Sequence, residues 1–141
     1  MKVQCDQPDY KKPYFVIDKV RFIDSPTKSI FPTDYIEINE NLTTIIGGKS
    51  TGKSLLLYLL AKTINKNEVE NRLKPIESFS YDFEKETDFN FEVIWADKRA
   101  SLLKLGSIDL DTERQEARKI LYLPQNYLNR ISEGVYLDLK P

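Results

Sequence analysis

Residues 47–54 constrain this chain more than any other part of its sequence. They read G-G-K-S-T-G-K-S and occupy every fixed position of the pattern G-x-x-x-x-G-K-[ST]. Residues 42–46, directly before them, form a short apolar run rich in β-branched side chains, which predicts a strand. Residues 54–64 contain strong helix formers and neither Gly nor Pro, which predicts a helix. We therefore expect a strand, a glycine-rich loop and a helix in direct succession.

The composition of this loop predicts a binding site for the phosphates of a nucleotide. Backbone N–H groups that wrap around a polyphosphate need dihedral angles that a Cβ atom obstructs, and glycine permits them. The helix that follows directs unsatisfied N–H groups and the positive end of its dipole at the anion. Lys53 is expected to contact the β- and γ-phosphates, and Ser54 to ligate Mg²⁺. The alternative is a glycine-rich turn that caps a core helix. The predicted nucleotide-binding residues are Gly47, Gly48, Lys49, Ser50, Thr51, Gly52, Lys53, Ser54 and Leu55.

Composition excludes several other kinds of site. The chain has 141 residues, which suits one domain, and a net charge of −1, so no overall basic field indicates nucleic acid. With one cysteine, Cys5, and no histidine, it can form neither an internal disulfide framework nor a zinc cluster. Histidine-dependent acid–base chemistry is excluded as well. No signal peptide or membrane-spanning apolar stretch is apparent, so we expect a cytoplasmic protein without membrane contact.

The rest of the sequence predicts a mixed α/β fold, with parallel strands near the phosphate loop and an antiparallel edge sheet. Residues 89–95 alternate between apolar and polar side chains and are expected to pair with residues 100–105 through a turn at Asp97 and Lys98. Further predicted elements are strands at 14–23, 34–39, 79–83 and 120–124 and a charged helical stretch at 111–119.

Several protein classes share the phosphate loop. A G protein needs the base-specifying motif N-K-x-D, but the similar residues 65–68 end in Glu and lie only one helix beyond the loop. Small nucleoside kinases consist of nearly pure alternating strands and helices, which a meander of strands after the first helix does not suit. Both remain as less favoured alternatives.

Two segments resemble the N-terminal lobe of ATP-binding-cassette ATPase heads of the SMC, RecF and OLD-nuclease-like group. They are YIEINENLTTIIGGKSTGKSLLLYLLAKTI at residues 35–64 and ILYLPQNYLNRI at residues 120–131. The resemblance covers residues 14–131 and implies a phosphate-loop NTPase fold that binds ATP and Mg²⁺. On this interpretation residues 1–13 are a lead-in and residues 14–141 are a partial ATPase domain.

The resemblance also implies roles for residues outside the loop. Gln125 looks like the glutamine of the family's Q-loop, which reaches Mg²⁺ and the attacking water, so Lys53 and Gln125 would be catalytic and Ser54 and Gln125 metal-binding. The alternative for Gln125 is an exposed amide in the turn after Pro124. The nearest candidates for contact with adenine are Lys19, Arg21 and Phe22.

The family's hydrolytic residues have no counterpart in this sequence. Hydrolysis needs an acidic pair after four apolar residues and a Ser-Gly-rich signature loop from a second head, and neither pattern occurs. We therefore expect a lobe that binds ATP but needs a C-terminal half and a second ATPase head for turnover. Such heads act in DNA repair, chromosome handling or defence against foreign DNA; the alternative is a nucleotide-dependent interaction module without catalysis. DNA binding itself has no support from charge, because no basic run is longer than residues 11–12.

Overall fold

The computed structural model describes residues 11–24, 31–73, 89–105, 116–124 and 127. A short 3₁₀ helix precedes the first strand, and two α-helices separate the first two strands from the last two. The elements are the 3₁₀ helix Pro13–Phe15, β1 Ile17–Asp24, β2 Ile36–Glu37, α1 Lys53–Ile64, α2 Lys66–Leu73, β3 Phe89–Trp95 and β4 Ala100–Leu105.

The four strands form one sheet in the order β2-β1-β3-β4, and every neighbouring pair is antiparallel. Phe91 at the centre of β3 lies opposite Phe22 of β1 on one side and Leu103 of β4 on the other. The hairpin between β3 and β4 turns at Asp97 and Lys98, where Lys98 adopts a positive φ of 71°. This hairpin confirms the pairing predicted from the alternating sequence.

The predicted mixed sheet is wrong. Within the described residues the sheet is wholly antiparallel, and segments 42–46 and 120–124, predicted as parallel strands, form no strand. Backbone N–H groups at these places bond to side chains: Leu42 N donates to Asn39 Oδ1 and Tyr122 N to Glu68 Oε1. A four-stranded antiparallel sheet with two helices therefore replaces the expected phosphate-loop NTPase sheet.

Other predicted elements differ in extent. The expected strand at 34–39 is reduced to two paired residues, and the charged residues after α1 form a helix of their own, α2. The predicted strand at 79–83 and the first part of the predicted helix at 111–119 lie outside the described residues. Residues 116–119 are described and are not helical.

The core lies between one face of the sheet and the two helices. Along β3 every second side chain is buried, as expected for a strand with one covered face. The largest fully buried side chains include Phe91 of β3 and Leu59 of α1, whose removal from water stabilises the fold by about 1.5–3 kcal/mol each. Phe22 extends this core, with its ring stacked on Phe31 at a centroid distance of 4.3 Å.

Arg118 connects the described segment 116–124 to the sheet. Its side chain is 5% exposed and lies between the rings of Tyr14 and Trp95, with its Cζ atom 4.1 Å from each ring centroid. Nη2 donates to Asp97 Oδ2 at 3.1 Å, and Nη1 donates to the carbonyl oxygen of Tyr14. Because two rings, a carboxylate and a carbonyl surround it, the guanidinium is held in one position.

A second set of polar contacts connects Tyr127 to α2. Arg72 pairs with Glu68 at 2.9 Å and donates to the hydroxyl of Tyr127 at 2.6 Å. The hydrogen bond from Arg72 to Glu68 raises the pKa of this arginine further above its already high ordinary value. None of the helices in the part of the chain that the structure describes is both long and apolar enough to cross a membrane.

Candidate phosphate-binding loop

A turn built around Asn39 leads the chain from β2 towards the loop. Asn39 Oδ1 accepts hydrogen bonds from the backbone N–H groups of Asn41 at 2.9 Å and Leu42 at 3.3 Å. Asn39 N donates in turn to Thr43 Oγ1 at 2.9 Å. These three bonds are local in sequence, so the approach to residues 47–54 is fixed by its own side chains.

Gly52 joins the loop to helix α1 as its N-cap residue, with φ 86° and ψ 8° in the left-handed region. Glycine reaches this conformation without the steric penalty that a Cβ atom brings. Among the described residues no side chain caps the N-terminus of α1, and its first turn contains no acidic residue. The positive end of the helix dipole is therefore directed at the loop without a carboxylate of that turn to neutralise it.

The loop and the start of α1 line a cavity of about 590 Å³. Seven predicted site residues, 49–55, lie together along it, and the two apolar residues Ile45 and Leu57 complete its wall. Neither Ile45 nor Leu57 is among the predicted site residues, although Leu57 follows Ser54 by three positions and therefore lies on the same face of the helix. The lining residues are Ile45, Lys49, Ser50, Thr51, Gly52, Lys53, Ser54, Leu55 and Leu57.

The ammonium group of Lys53 is bound by the loop itself. Nζ donates to the carbonyl oxygen of Gly47 at 2.7 Å, to the carbonyl oxygen of Gly48, and to Thr51 Oγ1 at 3.2 Å. The two predicted glycines that do not line the cavity thus contact the lysine predicted to bind phosphate. This arrangement places a positive charge within the curve of the loop.

The side chain of Thr51 forms hydrogen bonds within the loop. Its hydroxyl donates to the carbonyl oxygen of Gly48 at 2.8 Å while it accepts from Lys53. A Cβ atom on Gly47 would lie 2.7 Å from Thr51 Oγ1, closer than such contacts occur, so glycine at position 47 makes room for this hydroxyl. Ser50, next to it, has a positive φ of 63°.

The residue predicted to ligate Mg²⁺ lies at the cavity. Mg²⁺ at nucleotide sites takes one or two protein ligands and completes its shell with phosphate oxygens and water, and Ser54, predicted to be such a ligand, lines the cavity. Within residues 11–24, 31–73, 89–105, 116–124 and 127, no group of three or more His, Cys, Asp or Glu side chains could hold a metal by itself.

The remaining predicted site residues are Gln125 and the three candidates for contact with adenine. Gln125 lies outside the described residues, so its catalytic and metal-binding roles stay predictions. Lys19 Nζ and Arg21 Cζ each lie 4.5 Å from the ring centroid of Tyr35, and Arg21 also pairs with Glu92 at 2.8 Å. Phe22 belongs to the aromatic part of the core. The structure thus gives the three candidate adenine contacts partners in the sheet or, for Tyr35, directly before β2.

Comparison with known protein families, with curated proteins and with solved structures yields no match for this chain. The candidate site therefore has to be judged by its own geometry.

Proposed function

We propose that residues 47–54 bind the phosphates of ATP together with Mg²⁺. The observation that carries this proposal is the meeting of the α1 N-terminus, left-handed Gly52 and the Lys53 ammonium at one cavity. A helix N-terminus directs backbone N–H groups and a positive dipole end at an anion. The ammonium of the first helical residue adds a full charge at the same place.

Each residue of the loop has a distinct part in this proposal. The N–H groups of residues 52–54 donate to phosphate oxygens, and Lys53 neutralises charge on the terminal phosphates. The Ser54 hydroxyl is a ligand for Mg²⁺, which when bound neutralises further phosphate charge. Leu57 and Ile45 provide the apolar part of the cavity wall.

The proposal depends on the loop and the helix that follows, and not on a parallel sheet. In the chain as described, an antiparallel sheet supports α1, whose buried residues pack against the buried face of β3. A cytoplasmic location is part of the proposal, because ATP and Mg²⁺ are abundant there and the single Cys5 suits a reducing compartment.

Hydrolysis is proposed to require a second protein segment that brings an acidic pair and a signature loop. Large apolar side chains exposed on two extended segments support such a protein partner: Leu42 is 78% exposed, Ile46 87% and Leu121 68%. We expect the chain alone to release little phosphate from ATP. Robust release that Lys53→Met abolishes would contradict this part of the proposal.

Binding itself is tested by isothermal titration calorimetry with ATP and Mg²⁺ on the wild type, Lys53→Met and Lys66→Met. Lys66 is the matched control, since it is an exposed lysine beyond the far end of α1. We expect Lys53→Met to weaken ATP binding about 10- to 100-fold, the range of a charge-assisted hydrogen bond, and Lys66→Met to leave it unchanged. GTP in place of ATP tests base preference. Absence of heat with the wild type, or equal binding by Lys53→Met, would refute the proposal.

A further inference from the structure

The hydroxyl of Thr51 holds two parts of the loop at once. It accepts a hydrogen bond from Lys53 Nζ at 3.2 Å and donates one to the carbonyl oxygen of Gly48 at 2.8 Å. The phosphate-binding pattern leaves position 51 variable, so phosphate binding alone does not require a hydroxyl there. The presence of this hydroxyl in the middle of the lysine's contacts therefore needs a separate explanation.

Lys53 has no hydrogen-bond donor left over in this arrangement. An ammonium carries three N–H donors, and Gly47, Gly48 and Thr51 supply three acceptor oxygens. A phosphate that is to receive hydrogen bonds from Lys53 must therefore replace some of these acceptors. Binding of the anion therefore requires that Lys53 exchanges some of its hydrogen bonds to the loop for hydrogen bonds to phosphate.

The two carbonyl acceptors belong to the backbone, whereas the third acceptor is a side chain. Removing the Thr51 hydroxyl weakens the self-bound state of Lys53 without removing any backbone N–H group from the loop. A methyl group in its place keeps the volume that fills the space beside Gly47, where an added Cβ would lie 2.7 Å from Thr51 Oγ1. The Thr51 hydroxyl, which contacts Lys53, can therefore be removed by substitution without a change in side-chain volume.

We propose that Thr51 is a positioning residue that latches Lys53 inside the loop, so that the loop binds phosphate more weakly than its N–H groups and charge allow. This inference rests on the proposed function for its effect on ATP, but the contact between Thr51 and Lys53 does not depend on it. Release of Lys53 from the Thr51 hydroxyl accompanies anion binding.

The latch is tested without nucleotide by the reactivity of the Lys53 amine. Trace acetylation of the folded protein, quantified by mass spectrometry and referred to Lys66 in the same sample, compares the wild type with Thr51→Val and Thr51→Ser. Because an amine bound by several acceptors is shielded from the reagent, we expect reactivity at Lys53 to rise at least about twofold in Thr51→Val and to stay unchanged in Thr51→Ser. Unchanged reactivity in Thr51→Val would overturn the proposal.

The consequence for the ligand is tested by titration with ATP and Mg²⁺. Loss of one neutral acceptor should tighten ATP binding about fivefold in Thr51→Val and leave Thr51→Ser equal to the wild type. A residue that only supports loop shape, or that contacts the phosphate itself, would give weaker binding when replaced. Equal or weaker binding by Thr51→Val therefore refutes the latch.

The two proposals fail in different ways. If the wild type binds no ATP, the proposed function is wrong, and the acetylation comparison still decides whether Thr51 restrains Lys53. If the wild type binds ATP and Lys53→Met does not, but Thr51→Val shows neither change, the binding function stands and the latch is absent. Thermal unfolding of Thr51→Val and Thr51→Ser verifies that both variants are folded.

Discussion

Arg118 and Lys53 are both cations that contact backbone carbonyl groups, but their surroundings differ. Arg118 is 5% exposed and lies between two aromatic rings and a carboxylate, far in sequence from most of its partners. Among the described residues, the hydrogen bonds of Lys53 go to residues of its own loop. Arg118 is therefore held by distant parts of the fold, whereas the contacts of Lys53 are those that phosphate oxygens would replace under the proposed function.

The chemistry of the two side chains agrees with this difference. A guanidinium is planar and weakly hydrated, so it stacks on rings while it donates to fixed acceptors in its plane. An ammonium is a compact and strongly hydrated charge on a flexible stem, and its contacts with exposed carbonyls compete with water. We therefore expect Arg118 to dominate stability and Lys53 to dominate binding.

Replacing Arg118 with Ala should have the largest effect on stability. The variant loses the stacking on Tyr14 and Trp95 and the hydrogen bond to the carbonyl oxygen of Tyr14. We expect the free energy of unfolding to fall by about 3 kcal/mol, as measured by urea denaturation. The neighbouring exposed residue provides the control: Lys119→Ala should change it by less than about 0.5 kcal/mol. A loss below about 1 kcal/mol for Arg118→Ala would show that the guanidinium is not held as described.

Asp97 should make stability depend on pH in the acid range. Burial raises the pKa of its carboxyl group, but the backbone N–H of Arg99 and the guanidinium of Arg118 lower it by more, so the pKa lies below its ordinary value of 3.8. A carboxyl group with a lowered pKa in the folded state contributes stability above pH 3.8 that is lost as the pH falls through the folded pKa.

The measurement is the free energy of unfolding from urea titrations at pH values from about 6 to 3. Asp97→Asn should show a shallower loss of stability on acidification than the wild type, because the amide does not titrate. The control is Asp18→Asn, at a carboxyl of β1 outside this cluster. Parallel curves for Asp97→Asn and the wild type would contradict a lowered pKa of the Asp97 carboxyl in the folded state.

Replacing Gly52 with Ala should have a smaller effect on stability, confined to the loop. Its φ of 86° is unfavourable for any residue with a Cβ atom, although the space around it is open within 4 Å. Gly52→Ala should therefore lower the free energy of unfolding by about 1 kcal/mol through backbone strain alone. At Gly48 an added Cβ would meet Thr51 Cγ2 at an ordinary 3.8 Å, so Gly48→Ala should cost less. Equal losses in the two variants would show that φ at position 52 does not govern the loop.

Elements with a short-range cause were predictable from the sequence. Helix α1 was expected at residues 54–64 and is found at Lys53–Ile64, because its residues favour a helix and Gly52 precedes it. The hairpin of β3 and β4 follows from strict alternation on either side of a turn. Helix α2 was missed, although Asn65 caps it by accepting from the N–H of Glu68 at 3.1 Å, which is a readable N-cap signal.

Elements that depend on a distant neighbour were not predictable. The apolar run at 42–46 has the composition of a buried strand, but a strand also needs a neighbouring backbone, and the local Asn39 side chain takes the N–H of Leu42 instead. Residues 120–124 also have the composition of a buried strand and form none. Leu121 and Leu123 are exposed, and the residues that alternate with them are buried or half-buried. Composition reports that a side chain is apolar, but not which surface is available to cover it.

The candidate site was predictable in membership but not in internal arrangement. Residues 49–54 of the loop pattern line the cavity, because glycine positions, helix start and lysine have fixed spacing, whereas Gly47 and Gly48 of the pattern do not line it. Ile45, Leu55 and Leu57 line it from outside the pattern. The pattern does not show that the Thr51 hydroxyl lies between Lys53 and Gly48, since that contact depends on side-chain rotamers within the loop. The contact between Thr51 and Lys53 is therefore a property of the folded loop and not of its sequence pattern.

Lys53→Met should have the smallest effect on stability and so complete the contrast with Arg118. The carbonyl groups of Gly47 and Gly48 are exposed and can bond to water when the ammonium is removed, and the methionine stem keeps most of the apolar contact. We expect the free energy of unfolding to change by less than about 0.5 kcal/mol in urea, in the same variant that loses ATP binding. A loss of more than about 1.5 kcal/mol would mean that Lys53 holds the loop together as a structural cation, as Arg118 holds the sheet. In that case loss of ATP binding by Lys53→Met would reflect a damaged loop, and only the gain expected for Thr51→Val would still report on the lysine as a ligand-binding group.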